Sequence, residues 1–377
     1  MLKRFVVSLW FVSLVICSLI SARANAATVD FTGTWSGTIS GQMQCPGGGT
    51  SLQTLDVTGS CLQSGDVVNG VFSARGSCNG VDSITPIGAT ISGATITSAS
   101  YSSDGTLLQI TASVSGTAMS LSVADIDKNG IPGTLSGTLN RTSSQPPSSS
   151  LSGIYTGTYT YTFDDRQRVT PQHPGCQNPP IHTFTSSGNG SITVLQIGAF
   201  AMISTLFPSV QELIDDGHGN CRIGPEDDSW VESGTVNGNV ISLQSQATLT
   251  VNGNTLAATT FGAIGGGGEP RTIVFNGTRT STSIPPIVAS FTASKSTIDP
   301  GESITLSWSV LGATSLSIDN GVGAQPLSGS LTVFPARTTT YTLTATGASG
   351  STTAALTVTV VGGGPNVVTP RHRAVRH

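Results

Sequence analysis

The amino-acid sequence predicts an all-β protein: two tandem antiparallel meander domains, each a barrel or a sandwich, followed by a third β-domain. Three observations lead there. Short runs of Val, Ile, Thr and Leu, bounded by Gly with Asn, Ser or Asp, fill nearly the whole chain. The 377 residues include 46 glycines, as many short strands joined by tight turns require. A set of segments also recurs in the same order along two successive stretches.

The repeat begins with Phe31 to Thr38 (FTGTWSGT), which matches Leu151 to Thr158 (LSGIYTGT). Gly88 to Ile96 then matches Gly234 to Ile241, and Val114 to Met119 matches Val251 to Leu256. Near the end of each unit, Gly137-Thr138 with Arg141 corresponds loosely to Gly277-Thr278 with Arg279. The units span residues 27–143 and 151–281, and the Pro/Ser-rich segment 144–150 links them. The first divides into about eight strands; the second adds insertions near 164–182 and 207–230. Val236-Asn237-Gly238-Asn239 and Val251-Asn252-Gly253-Asn254 read as two-residue hairpin turns of type I′. Pro208 to Ile214 reads as the one helical piece, with Pro near its start and Gly217 beyond its end.

Met1 to Ala26 has the pattern of a Sec signal peptide. Lys3 and Arg4 precede a mostly apolar run from Phe5 to Ile20, and Ala24-Asn25-Ala26 supplies the small residues for cleavage. The apolar run is short for a membrane span, so no span is expected after cleavage. Losing Lys3, Arg4 and Arg23 leaves 13 basic and 20 acidic residues, a net charge of −7. Nucleic acid is therefore not an expected partner. The expected location is secreted: extracellular, cell-surface or periplasmic, where disulfides persist. The order of the repeat suggests Cys45–Cys78 and Cys176–Cys221 bridges and leaves Cys61 unpaired.

Gly33-Thr34-Trp35 with Arg141, and the degraded copy Gly153-Ile154-Tyr155 with Arg279, resemble the calycin superfamily of lipocalins and avidins. Calycin barrels open with Gly-x-Trp on the first strand, and a basic residue from the last strand covers the Trp. The resemblance implies barrels that hold a small apolar ligand. Residues 287–361 change in character. Pro300 to Trp308 (PGESITLSW) places Ile304, Leu306 and Trp308 on one face of a strand, and Thr339 to Ala345 (TTYTLTA) forms a later one. This stretch resembles the bacterial Ig-like domains of secreted and surface proteins, which implies an Ig-like β-sandwich acting as spacer or adhesive module. Residues 362–377 read as a flexible tail.

Two sets of residues stand out as candidate sites. Tyr155, Tyr159 and Tyr161 alternate along one strand with Phe163 and so share a face. Exposed, they would stack on sugars; buried, they would fill a barrel. Asp125, Asp127 and Asn129, followed by Gly130, reproduce the first half of a calcium loop, but Ser136 stands where a bidentate Glu is needed. No cofactor is expected, with calcium as the alternative; His173, His182 and His218 with Asp215, Asp216 and Glu226 could also hold zinc, but their spacing matches no metal motif. No G-x-S-x-G elbow, Walker loop or βαβ-embedded glycine motif is present. The expectation is a non-enzymatic binding or adhesion protein whose partner is carbohydrate or another cell-surface component. A small-ligand carrier and a secreted hydrolase are the alternatives.

Overall fold

The computed structural model describes residues 29–45, 49–76, 83–101, 107–126, 132–164, 183–215, 221–262 and 271–361. These form three all-β modules in chain order.

Barrel 1 contains β1 (Gly33–Cys45), β2 (Gly49–Ser64), β3 (Val67–Arg75), β4 (Ser83–Thr90), β5 (Thr95–Tyr101), β6 (Leu107–Ser115), β7 (Ala118–Ile126) and β8 (Pro132–Ser143). Each strand pairs antiparallel with the next, and β1 also pairs with β8, except that β4 and β5 share no ladder. A tight turn closed by the Ser92–Thr95 bridge joins those two, after which they diverge.

Barrel 2 contains β9 (Gly153–Asp164), β10 (Thr183–Ile197), β11 (Phe200–Asp215), β12 (Cys221–Asp228), β13 (Val231–Asn237), β14 (Val240–Leu243), β15 (Thr248–Asn252), β16 (Thr255–Gly262) and β17 (Arg271–Ser281). Here the ring is complete. β9 pairs with β17, and β11 pairs with both β10 and β13, leaving β12 as a hairpin beside the ring. The strands equivalent to β4 and β5 are β13 and β14, which pair.

Two local expectations are corrected. Pro208 to Ile214 is not helical; it continues β11. The β11–β12 register shifts between Phe207 and Val210, so Pro208 sits at an irregularity where its missing N–H breaks no regular ladder. The turns after Asn237 and Asn252 are two-residue hairpins, but glycine occupies the first turn position. Gly238 and Gly253 have φ of 60° and 58°, while neither neighbouring Asn has positive φ. That is the II′ pattern rather than I′.

The C-terminal sandwich contains β18 (Ile287–Ala293), β19 (Thr297–Ile298), β20 (Ile304–Leu311), β21 (Ser315–Ile318), β22 (Gly323–Gln325), β23 (Ser328–Val333), β24 (Thr339–Gly347) and β25 (Gly350–Val360). Its sheets run β18-β20-β23 and β19-β25-β24-β21-β22. Ile304, Leu306 and Trp308 are buried between them, as the alternation predicts.

The modules share a fourth apolar cluster. Val71 of barrel 1, Ile197, Phe200 and Met202 of barrel 2, and Ile287 and Leu311 of the sandwich bury one another. β20 and β23 also lie against β4 and β5, where barrel 1 has no ladder. Gly312 N–H donates to Asn69 Oδ1 at 2.8 Å, and a Cβ on Gly88 would overlap the Val310 carbonyl oxygen.

Candidate functional site: two plugged barrels, one hollow

Each barrel is closed at one end by the same device. In barrel 1 the buried Trp35 donates from Nε1 to Phe31 O at 3.0 Å, and the Arg141 guanidinium lies 4.5 Å from the indole centroid. Arg141 also bonds Asp30 through Nη1 at 2.9 Å and through Nη2 to the Asp30 carbonyl. Burial alone would raise the Asp30 pKa, but hydrogen bonds from Thr32 and Arg141 together hold it below the usual value. Its contribution is therefore present above the ordinary Asp pKa and lost as pH falls through the lowered native value.

In barrel 2, Tyr155 stands for Trp35. Its hydroxyl donates to Leu151 O at 2.8 Å, and Arg279 lies 5.1 Å from its ring and donates from Nε to the hydroxyl at 2.9 Å. A glutamine pair completes the correspondence. Gln63 Oε1 accepts from Phe31 N at 2.8 Å and Gln196 Oε1 from Leu151 N at 2.9 Å, while their amides donate to Gly65 O and Gly198 O. Sequence reasoning missed this pair, although Leu62-Gln63-Ser64-Gly65 and Leu195-Gln196-Ile197-Gly198 carry it.

These anchors fix equivalent positions. Arg141 opposes Trp35 as Arg279 opposes Tyr155, so Phe275 corresponds to Gly137; the Gly137–Gly277 match in the sequence is two residues out of register. Counting from the glutamines, Phe207 corresponds to Ala74. Counting from the plug, Tyr159 and Tyr161 correspond to Ile39 and Gly41.

The difference in bulk decides what each barrel holds. Tyr155, Tyr159 and Tyr161 are 0%, 2% and 0% exposed, so they are interior packing and offer no face for stacking on sugars. Tyr159, Phe275 and Trp230 pack around Phe207 at 5.1, 5.9 and 5.5 Å between ring centroids, and Tyr159 donates to Pro208 O at 2.6 Å. Among the described residues, the cavity that these rings leave beside Phe207, Trp230 and Phe275 is about 10 Å³. Barrel 1, with Ile39, Gly41, Ala74 and Gly137 at the equivalent positions, keeps a cavity of about 70 Å³. Thr85 is the only lining residue that is not apolar; the others include Ile39, Leu55, Ala74, Ile110 and Leu135. The interior is thus apolar, although the sequence is rich in Ser and Thr, because alternation sends the hydroxyls outward. Half-buried Met43 and Leu108 stand at the end away from the plug.

Cys61 is a free thiol, buried in the barrel 1 core. Burial pushes its pKa up to about 12, with a small opposing pull from Arg141. An unfolded thiol keeps its ordinary pKa, so the stability tied to this group falls as pH rises from that ordinary range toward the raised native value. In native protein at pH 8 we expect Cys61 to resist iodoacetamide for hours and to be alkylated within minutes in 6 M guanidinium, a contrast on the order of that between protein thiols of different burial. Equal modification in both states, read by mass spectrometry, would show that the site is open.

The remaining sequence candidates lie outside the described residues. These are the side chains of Asp125, Asp127 and Asn129, of His173, His182, His218, Asp215, Asp216 and Glu226, and of Cys45, Cys78, Cys176 and Cys221. Among the described residues no three His, Cys, Asp or Glu side chains converge as metal ligands, and no helix is long and apolar enough to cross a membrane.

No family model matches the sequence. An uncharacterized protein of Ruminiclostridium cellulolyticum is 46% identical over 63 residues, which span 16% of this chain and 18% of that protein. Kievitone hydratase from Nectria haematococca aligns over 69% of this chain and 96% of its own, at 10% identity and a TM-score of 0.16. A likeness at that score carries no argument about fold or function.

Proposed function

We propose that the chain is an exported binding protein in which barrel 1 holds a compact apolar molecule. The observation that carries this reading is the contrast between the repeats. The same plugged barrel is packed with aromatic rings in one copy and left hollow, with an apolar lining, in the other. The cavity of about 70 Å³ is smaller than the ~150 Å³ engineered cavity that admits benzene. Met43 at its margin has the rotamer freedom to widen it. An apolar occupant gains roughly 25 cal/mol per Å² removed from water. Catalysis plays no part in this reading, because the cavity lining offers no acid, base or nucleophile beyond the Thr85 hydroxyl.

The test restores the missing ring. Wild-type protein is expected to show a higher Tm with saturating benzene, whereas Ala74→Phe, which copies Phe207, is expected to match or exceed the wild-type Tm and ignore benzene. An undiminished benzene response in Ala74→Phe, or none in wild type, would contradict the assignment.

A further inference from the structure

Barrel 2 and the C-terminal sandwich enclose a second space of different chemistry. It is a cleft of about 510 Å³, within the range of ligand pockets. Ser204 and Trp230 line it from the barrel, Ser290, Phe291 and Thr353 line it from the sandwich, and Pro286 lines it from the connection between them. None of the lining residues is ionisable, which leaves nothing to pair with phosphate, carboxylate or ammonium groups. Its lining combines the hydroxyls of Ser204, Ser290 and Thr353 with the rings of Trp230 and Phe291. A neutral polyol has the matching pair of surfaces, with C–H faces for the rings and hydroxyl edges for Ser and Thr.

A separate observation concerns unmet hydrogen bonds. Trp230 Nε1 and Ser290 Oγ, one from each module, are two of the six buried side-chain atoms without a hydrogen-bond partner among the described residues, and they are the two whose residues line the cleft. Buried polar groups in native proteins are nearly always paired, because an orphan loses its hydrogen bonds to water without replacement. The other two described tryptophans differ: Trp35 Nε1 donates to Phe31 O and Trp308 Nε1 to Pro326 O. The unsatisfied indole is the one at the cleft.

We infer that this cleft binds a short neutral oligosaccharide, and that the site exists only while the sandwich is seated on barrel 2. The inference is independent of the barrel 1 reading, since the two sites share no residue.

The experiment follows the three indole N–H resonances of the ¹⁵N-labelled mature chain during titration with cellohexaose, maltohexaose and chitohexaose. At least one sugar is expected to shift the Trp230 resonance in a saturable way while Trp35 and Trp308 stay in place. Thr353→Trp narrows the cleft from an exposed position on β25. It should keep the wild-type Tm and weaken binding about tenfold or more. If none of the three sugars moves Trp230, or if Thr353→Trp leaves the titration unchanged, the inference is overturned. Benzene binding would be unaffected by either result, so failure here is distinguishable from failure of the barrel 1 reading.

Discussion

Replacing Gly88 with valine is expected to unseat the C-terminal sandwich from barrel 1 while leaving each module folded. Gly88 lies on β4, where a Cβ would overlap the carbonyl oxygen and carbon of Val310 on β20. The obstacle is backbone, so no rotamer change relieves it and the two strands must separate. Overpacking of this kind costs roughly 1–3 kcal/mol even inside one core. Here the relief is to give up the neighbouring contacts: the Gly312–Asn69 hydrogen bond, the Ser328 hydroxyl to Thr97 O at 3.4 Å, and the share of Leu311 and Ile287 in the common cluster. Small-angle scattering should report a larger radius of gyration, and calorimetry should resolve the sandwich as a separate transition. Thr90→Val, at an exposed position on the same strand, serves as the control. A single transition at the wild-type Tm with unchanged scattering would mean that the sandwich does not rest on β4.

Trp35→Ala should be the most damaging single change to barrel 1. The indole is 1% exposed and is the largest side chain of the plug. Its loss costs about 3–5 kcal/mol for lost burial and the cavity together. It also leaves Phe31 O without its donor and removes the ring beneath Arg141. That ring contact contributes about 0.5–2 kcal/mol. In urea unfolding monitored on barrel 1, the midpoint should fall far enough to account for several kcal/mol. Trp35→Tyr installs the residue barrel 2 uses, where Tyr155 reaches the equivalent carbonyl with its hydroxyl. It should recover at least half the loss. A cost below about 1 kcal/mol for Trp35→Ala, which is ordinary for a surface change, would contradict the plug, as would a tyrosine no better than alanine.

Much of this architecture was legible because it is written locally. Alternating Val, Ile and Leu with Gly-marked turns specifies strands one hairpin at a time, and Trp35 with Tyr155 announces the repeated plug. Pro208 misled because proline and a following glycine also bound helices. What places it in β11 is the run Phe200 to Phe207, apolar except for Ser204 and Thr205, which commits the strand before proline is reached. Other features depend on partners distant in sequence. The need for glycine at position 88 is imposed by Val310, and nothing near Gly88 signals it. The hollow in barrel 1 is a difference of volume, visible only once Ala74 is known to stand where Phe207 stands. The aromatic stripe of Tyr155, Tyr159 and Tyr161 was readable as alternation, but alternation cannot say which face is inside; burial does. The cleft beside Trp230 joins strands of two modules, so no single stretch of sequence could display it.

The most direct test of the hollow-barrel reading is a crystal of the mature protein pressurised with xenon, which enters dry apolar cavities without needing polar partners. The structure predicts a xenon peak in barrel 1 among Leu55, Ile110 and Leu135 and none among Tyr159, Phe207 and Phe275 of barrel 2. Equal occupancy in the two barrels, or an empty barrel 1, would contradict it.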